Sequence, residues 1–141
     1  MRHLCFLLSL IYSSMALSFG FSGVWIGSGE GQTPTTSFNC SEVEMRIHIE
    51  EDKLILRGGH YNCDSLSAEY PYSVFTIKDG VLFERDQAVG TIDEQTILLE
   101  SPKDGFEMTL NLYNGSLYFN EAWVDGEDYL VLGAELKRIA N

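Results

Sequence analysis

At 141 residues, with 21 Asp and Glu against nine Lys and Arg, the chain carries a formal charge of −12 and is 45% hydrophobic. That length suits a single domain with a real core. The acidity excludes a nucleic-acid binder and a protein held on anionic lipid, leaving cationic partners or plain solubility as its use.

Residues 1–18 read as a cleaved signal peptide. Arg2 and His3 form a basic start and Leu4 to Tyr12 an apolar run, and Ser14-Met15-Ala16 or Ala16-Leu17-Ser18 supplies a small-residue cleavage site. The run is shorter than the roughly 20 residues a membrane helix needs, and no second span is present. Cleavage removes Cys5 and Arg2, leaving one domain over 19–141 with a formal charge of −13, secreted or periplasmic. Cys40 and Cys63 remain, and an even count in an exported chain predicts a disulfide. The competing use of Cys63 is a zinc site with His60, which lacks further ligands nearby and loses its thiolate in an oxidising compartment.

The stretch Phe21 to Gly29 opens the domain as a strand carrying one Trp among glycines, positions that let a sheet bend. Gln32 to Asn39 reads as a loop leading to Cys40. Val43, Met45, Ile47 and Ile49 then alternate with polar residues, and Lys53 to Arg57 returns as their hairpin partner, with Gly58-Gly59 expected to end it. Tyr61 to Leu66 reads as irregular, and Tyr70-Pro71 as an edge or bend. Asp79-Gly80, Asp93-Glu94, Asp104-Gly105, Asn114-Gly115 and Asp125-Gly126 punctuate the remainder of the chain, and Asp-Gly and Asn-Gly between apolar runs are hairpin signals. The expectation is an all-β, antiparallel up-and-down meander closed as a small barrel of about 8–10 strands.

Gly23-Val24-Trp25 near the start and Arg138, after Leu136-Lys137 on the last strand, resemble the calycins: lipocalins, fatty-acid-binding proteins and avidin-like barrels. The resemblance implies that Trp25 closes one end of the barrel, that Arg138 packs across it, and that the interior takes an apolar or amphipathic small molecule. The mid-chain T-D-Y-like segment and outer helix of lipocalins, and the helical lid of fatty-acid-binding proteins, have no counterpart. Tyr61-Asn62-Cys63 is similar to a Y-x-C segment of small barrels that inhibit lysozyme. That similarity, with the acidity, implies an alternative: a protein-binding module for a basic partner.

Catalysis is poorly supplied. His48 and His60 are the only histidines after the leader, and neither accompanies a nucleophile motif. No enzyme, cofactor or metal is expected, and the protein is read as a monomer. One residue departs from its pattern. If Leu117, Phe119 and Trp123 face inward, Glu121 does too, and a carboxylate there needs a cation, for which Arg46 and Arg57 are candidates, or a wet cavity. The alternative buries Tyr118, Ala122 and Val124 and puts Glu121 in water. The first arrangement makes Glu121, Phe119, Trp123, Met108 and Leu110 the candidate ligand-binding residues, because those two strands carry the cleanest alternation and most of the aromatics. Asn39-Cys40-Ser41 and Asn114-Gly115-Ser116 are glycosylation sequons.

Overall fold

Alternating side chains and two-residue turns produce strands almost throughout. The computed structural model describes residues 20–140, so the expected leader lies outside the described residues. The strands are β1 (Gly23–Gln32), β2 (Ser37–Glu50), β3 (Lys53–Cys63), β4 (Ser67–Tyr70), β5 (Ser73–Lys78) and β6 (Val81–Glu84). They continue with β7 (Gln87–Ile92), β8 (Thr96–Ser101), β9 (Phe106–Tyr113), β10 (Ser116–Asp125) and β11 (Asp128–Ala140). A 3-10 turn at Pro102–Asp104 joins β8 to β9, and no described helix is long and apolar enough to cross a membrane.

Successive strands pair antiparallel and β1 pairs with β11, so the meander closes on itself. β4 and β5 succeed one another along β3, opposite Gly59–Asn62 and Lys53–Leu56 respectively, with Pro71-Tyr72 between them. Proline withholds an N–H from a ladder, and the pair therefore acts as one broken strand. The result is a ten-strand barrel.

Two expectations are corrected at the start of the chain. β2 already begins at Ser37, inside the stretch expected to be loop. Gly58-Gly59 bends β3 without ending it, and Tyr61–Cys63 is strand. The register steps from Gly58 opposite Arg46 to Leu56 opposite Ile47, so Arg57 is the extra residue of a bulge.

The ladder fixes which side chains stack inside. Leu112, Leu117, Leu136, Gly27 and Val43 form one inward layer, succeeded by Leu110, Phe119, Ala134, Gly29 and Cys40. Above them lie Met108, Glu121, Leu132, Gly31 and Phe38, and then Phe106, Trp123 and Leu130 at one rim. A ten-strand barrel encloses more width than an eight-strand one. Large side chains fill it: Phe21, Trp25, Phe119 and Met45 are fully buried, and Tyr70 stacks edge-on against Tyr61 and Phe119 with centroids 5.9 and 6.2 Å away.

Beyond Trp25, β1 meets β11 closely because its inward positions Gly27, Gly29 and Gly31 carry no side chain. A Cβ on Gly27 would overlap the Glu135 carbonyl, and one on Gly29 the Gly133 carbonyl. At the end where β1 begins, Trp25 is 1% exposed and its Nε1 donates to the Phe21 carbonyl at 2.8 Å. Arg138 lies 4.6 Å from the Trp25 ring centroid and donates to the Gly20 carbonyl. The expected Trp25–Arg138 contact is thus present at this end. Cys40 and Cys63 are bonded and lie directly opposite one another across β2 and β3.

Replacing both cysteines by Ser should lower stability by about 2–5 kcal/mol in urea unfolding, and alkylation of the unreduced protein should find no free thiol at either position. Arg138→Ala should cost about 0.5–1 kcal/mol by the same measurement, the range for a guanidinium over an indole at an exposed site; an unchanged midpoint would show that the stacking adds nothing to closure.

Candidate functional site

β10 points Leu117, Phe119, Glu121 and Trp123 to the same side, because alternate residues of a strand share a face. Leu117 and Phe119 are buried, and Glu121 is buried with them at 3% exposure. Trp123, one layer further up, is 40% exposed at the open rim and packs on Phe106 with ring centroids 4.5 Å apart. The opposite face of the strand lies outward: Tyr118 and Ala122 are only half-buried and Val124 is exposed.

Neither expected cation reaches Glu121. Arg46 points out of the barrel and pairs with Glu44, two residues away on its own strand, and Arg57 is exposed in the β3 bulge. The neighbours of the carboxyl are instead Tyr70, Trp123 and Tyr61, whose polar hydrogens favour the ionised form. Burial outweighs them and raises the Glu121 pKa above its ordinary 4.5. Burial, and after it the Glu121 charge, pushes the Tyr61 phenol up to about 12 and that of Tyr70 further up. The Glu121 Oε2 and the Tyr70 hydroxyl both lack a hydrogen-bond partner of good geometry.

The site therefore gathers Glu121, Tyr61 and Tyr70, with Phe106, Trp123 and Leu130 above. Met108 lies beside Glu121 on β9, while Phe119 and Leu110 lie one layer beneath, both fully buried. Tyr61 and Tyr70 were not among the sequence candidates. Tyr61 carried a signal, through alternation back from Cys63. Tyr70 carried none, because the break at Pro71 hides which face its strand presents.

A second cluster lies on the outer wall. Single ligand atoms of Glu42, Glu44 and His60 fall within 4.8 Å of one another, and His60 Nε2 is 3.0 Å from Glu42. Arg46 already answers Glu44, and Cys63 is committed to its disulfide, so the thiolate of the His60–Cys63 alternative is gone. The chain matches no known family model, and no curated protein matches it.

A carboxyl whose pKa rises on folding holds its proton more tightly in the native state. Its contribution is full below 4.5 and is lost as pH rises through the higher native value. Stability from urea unfolding should accordingly decline over that window, and Glu121→Gln should flatten the decline; identical slopes would mean that Glu121 ionises in the fold at no cost. In an ultraviolet titration the Tyr61 and Tyr70 phenols should ionise above the ordinary phenol value of 10.0, Tyr61 near pH 12.

Proposed function

We propose that the chain is a small exported barrel that binds an amphipathic small molecule at its open end, with Glu121 meeting the polar head. The supporting observation is the buried Glu121 carboxyl, whose Oε2 and neighbouring Tyr70 hydroxyl both lack a hydrogen-bond partner of good geometry. An unmatched buried polar group costs about 1–3 kcal/mol, and a ligand that brings a donor removes that cost. The apolar body rests on Phe106, Trp123 and Leu130, a row directly above Glu121 and already partly open. The ligand occupies this rim and does not go deeper, because Tyr61, Tyr70, Phe119 and Leu110 fill the layers below. Its head is an amine or another donor, since Arg46 and Arg138 are engaged elsewhere.

The calycin resemblance of Gly23-Val24-Trp25 and Arg138 supports the same reading, now with ten strands and the Trp25–Arg138 contact beside it. Export is supported by the Cys40–Cys63 bond together with the short apolar leader. The histidines sit against carboxylates, His48 3.5 Å from Glu50 and His60 3.0 Å from Glu42.

Competition with a fluorescent amphiphile provides the test. Alkyl amines should displace it more readily than fatty acids of equal chain length. Glu121→Leu should reverse or erase that preference, shifting the ratio of affinities by about tenfold or more. Glu94→Leu, on the exposed turn between β7 and β8, should leave it unchanged. Equal selectivity in the Glu121→Leu and parent proteins would remove Glu121 from the site.

A further inference from the structure

The outer wall of the barrel holds a second feature, a groove that Glu121 adjoins but whose outward side chains come from other residues. Across β9, β10, β11, β1 and β2 the ladder aligns Thr109, Asn120, Gly133, Glu30 and Asn39 in one outward row. A parallel row contains Glu107, Ala122, Val131, Gln32 and Ser37. The smallest residues, Gly133 and Ala122, fall in the middle strands, while longer polar side chains stand on both sides. The outcome is a groove of about 630 Å³ across five strands, with Gly133 and Ala122 as its floor. The Asn120 amide lies along that floor, since a Cβ on Gly133 would come within 3.1 Å of its Oδ1.

The chemistry of the walls is selective. Asn39, Asn120 and Gln32 present amides, Ser37 and Thr109 hydroxyls, and Glu30 and Glu107 carboxylates, with no Lys or Arg. An anionic ligand would meet two carboxylates and no cation. A lysine-rich peptide would use the carboxylates and leave the amide and hydroxyl donors idle. Hydroxyl groups both donate and accept, as amides and hydroxyls do, so a molecule bearing hydroxyls at regular intervals uses the whole surface. Side chains on neighbouring strands recur about every 4.8 Å across the groove, which gives such a molecule repeated points of attachment. Among the described residues, the side chains of Thr109, Asn120, Glu30 and Glu107 make no hydrogen bond within the protein and are free to do so. Gln32 holds the Tyr129 hydroxyl at 3.2 Å, which sets an aromatic ring at the rim where the C–H face of a sugar can rest.

We propose that this groove binds a neutral oligosaccharide lying across β9 to β2. The full chain would be titrated calorimetrically with short cello-, xylo-, manno- and chito-oligosaccharides, at low and high salt. One series should bind with little dependence on salt, because no net charge is matched. Asn120→Ala should weaken it by about tenfold, and Ala122→Trp, which fills the floor from the solvent side, should abolish it. Glu94→Leu should bind like the parent, and matching unfolding midpoints would establish that each variant is folded. The proposal is overturned if no series binds, or if binding survives both groove variants. Salt-sensitive binding of polylysine without any oligosaccharide binding would also overturn it, assigning the wall to a basic protein.

Discussion

Closure of β1 on β11 is the constraint on which the rest of the fold depends. An open meander would leave two unpaired edges, each a template for aggregation. Joining the first strand to the last removes both, but the two backbones must approach over nine residue pairs. Glycines at 27 and 29 permit it, since a side chain at either would occupy the space of a β11 carbonyl. Only with that seam closed do the inward faces of all ten strands share one core, and only then does period 2 on β10 become an instruction to bury Glu121.

A good part of this fold was legible in the sequence. Asp79-Gly80 and Asn114-Gly115 place both central residues at positive φ, which is why these pairs make hairpins, and they do so here. Alternation from Leu117 carried the inward direction as far as Glu121. The far side of the barrel could not be read. Tyr70 reaches Glu121 from a strand interrupted at Pro71, and nothing local to either residue records a neighbour so distant in the chain. Arg46 differs, since its partner Glu44 lies two residues away and alternation already puts both on the outward face.

The two faces of the β9–β10–β11–β1–β2 wall divide the chemistry. Inward, a carboxyl is kept among phenols and apolar groups, where its ionisation is penalised by burial. Outward, at the same level of the same strands, amides and carboxylates stand in water. Neighbouring positions such as Asn120, Glu121 and Ala122 therefore send alternate side chains to opposite faces although they adjoin in the chain.

The seam has one more consequence, for the connectivity of the fold. Val24 pairs with Ala140, so the chain enters and leaves the barrel at one point, on the end that holds Trp25 and far from the open rim. A short linker across that point would make the backbone circular, and a new opening at the exposed Arg85-Asp86 tip would produce a permutant with every strand pair intact. In the native order, the pairing of the first and last described strands also completes the sheet, which makes the loop-closure cost of folding heaviest there. In the permutant that contact becomes local, and the cost moves to the pairing of β6 with β7, two short strands with far less ladder to offset it.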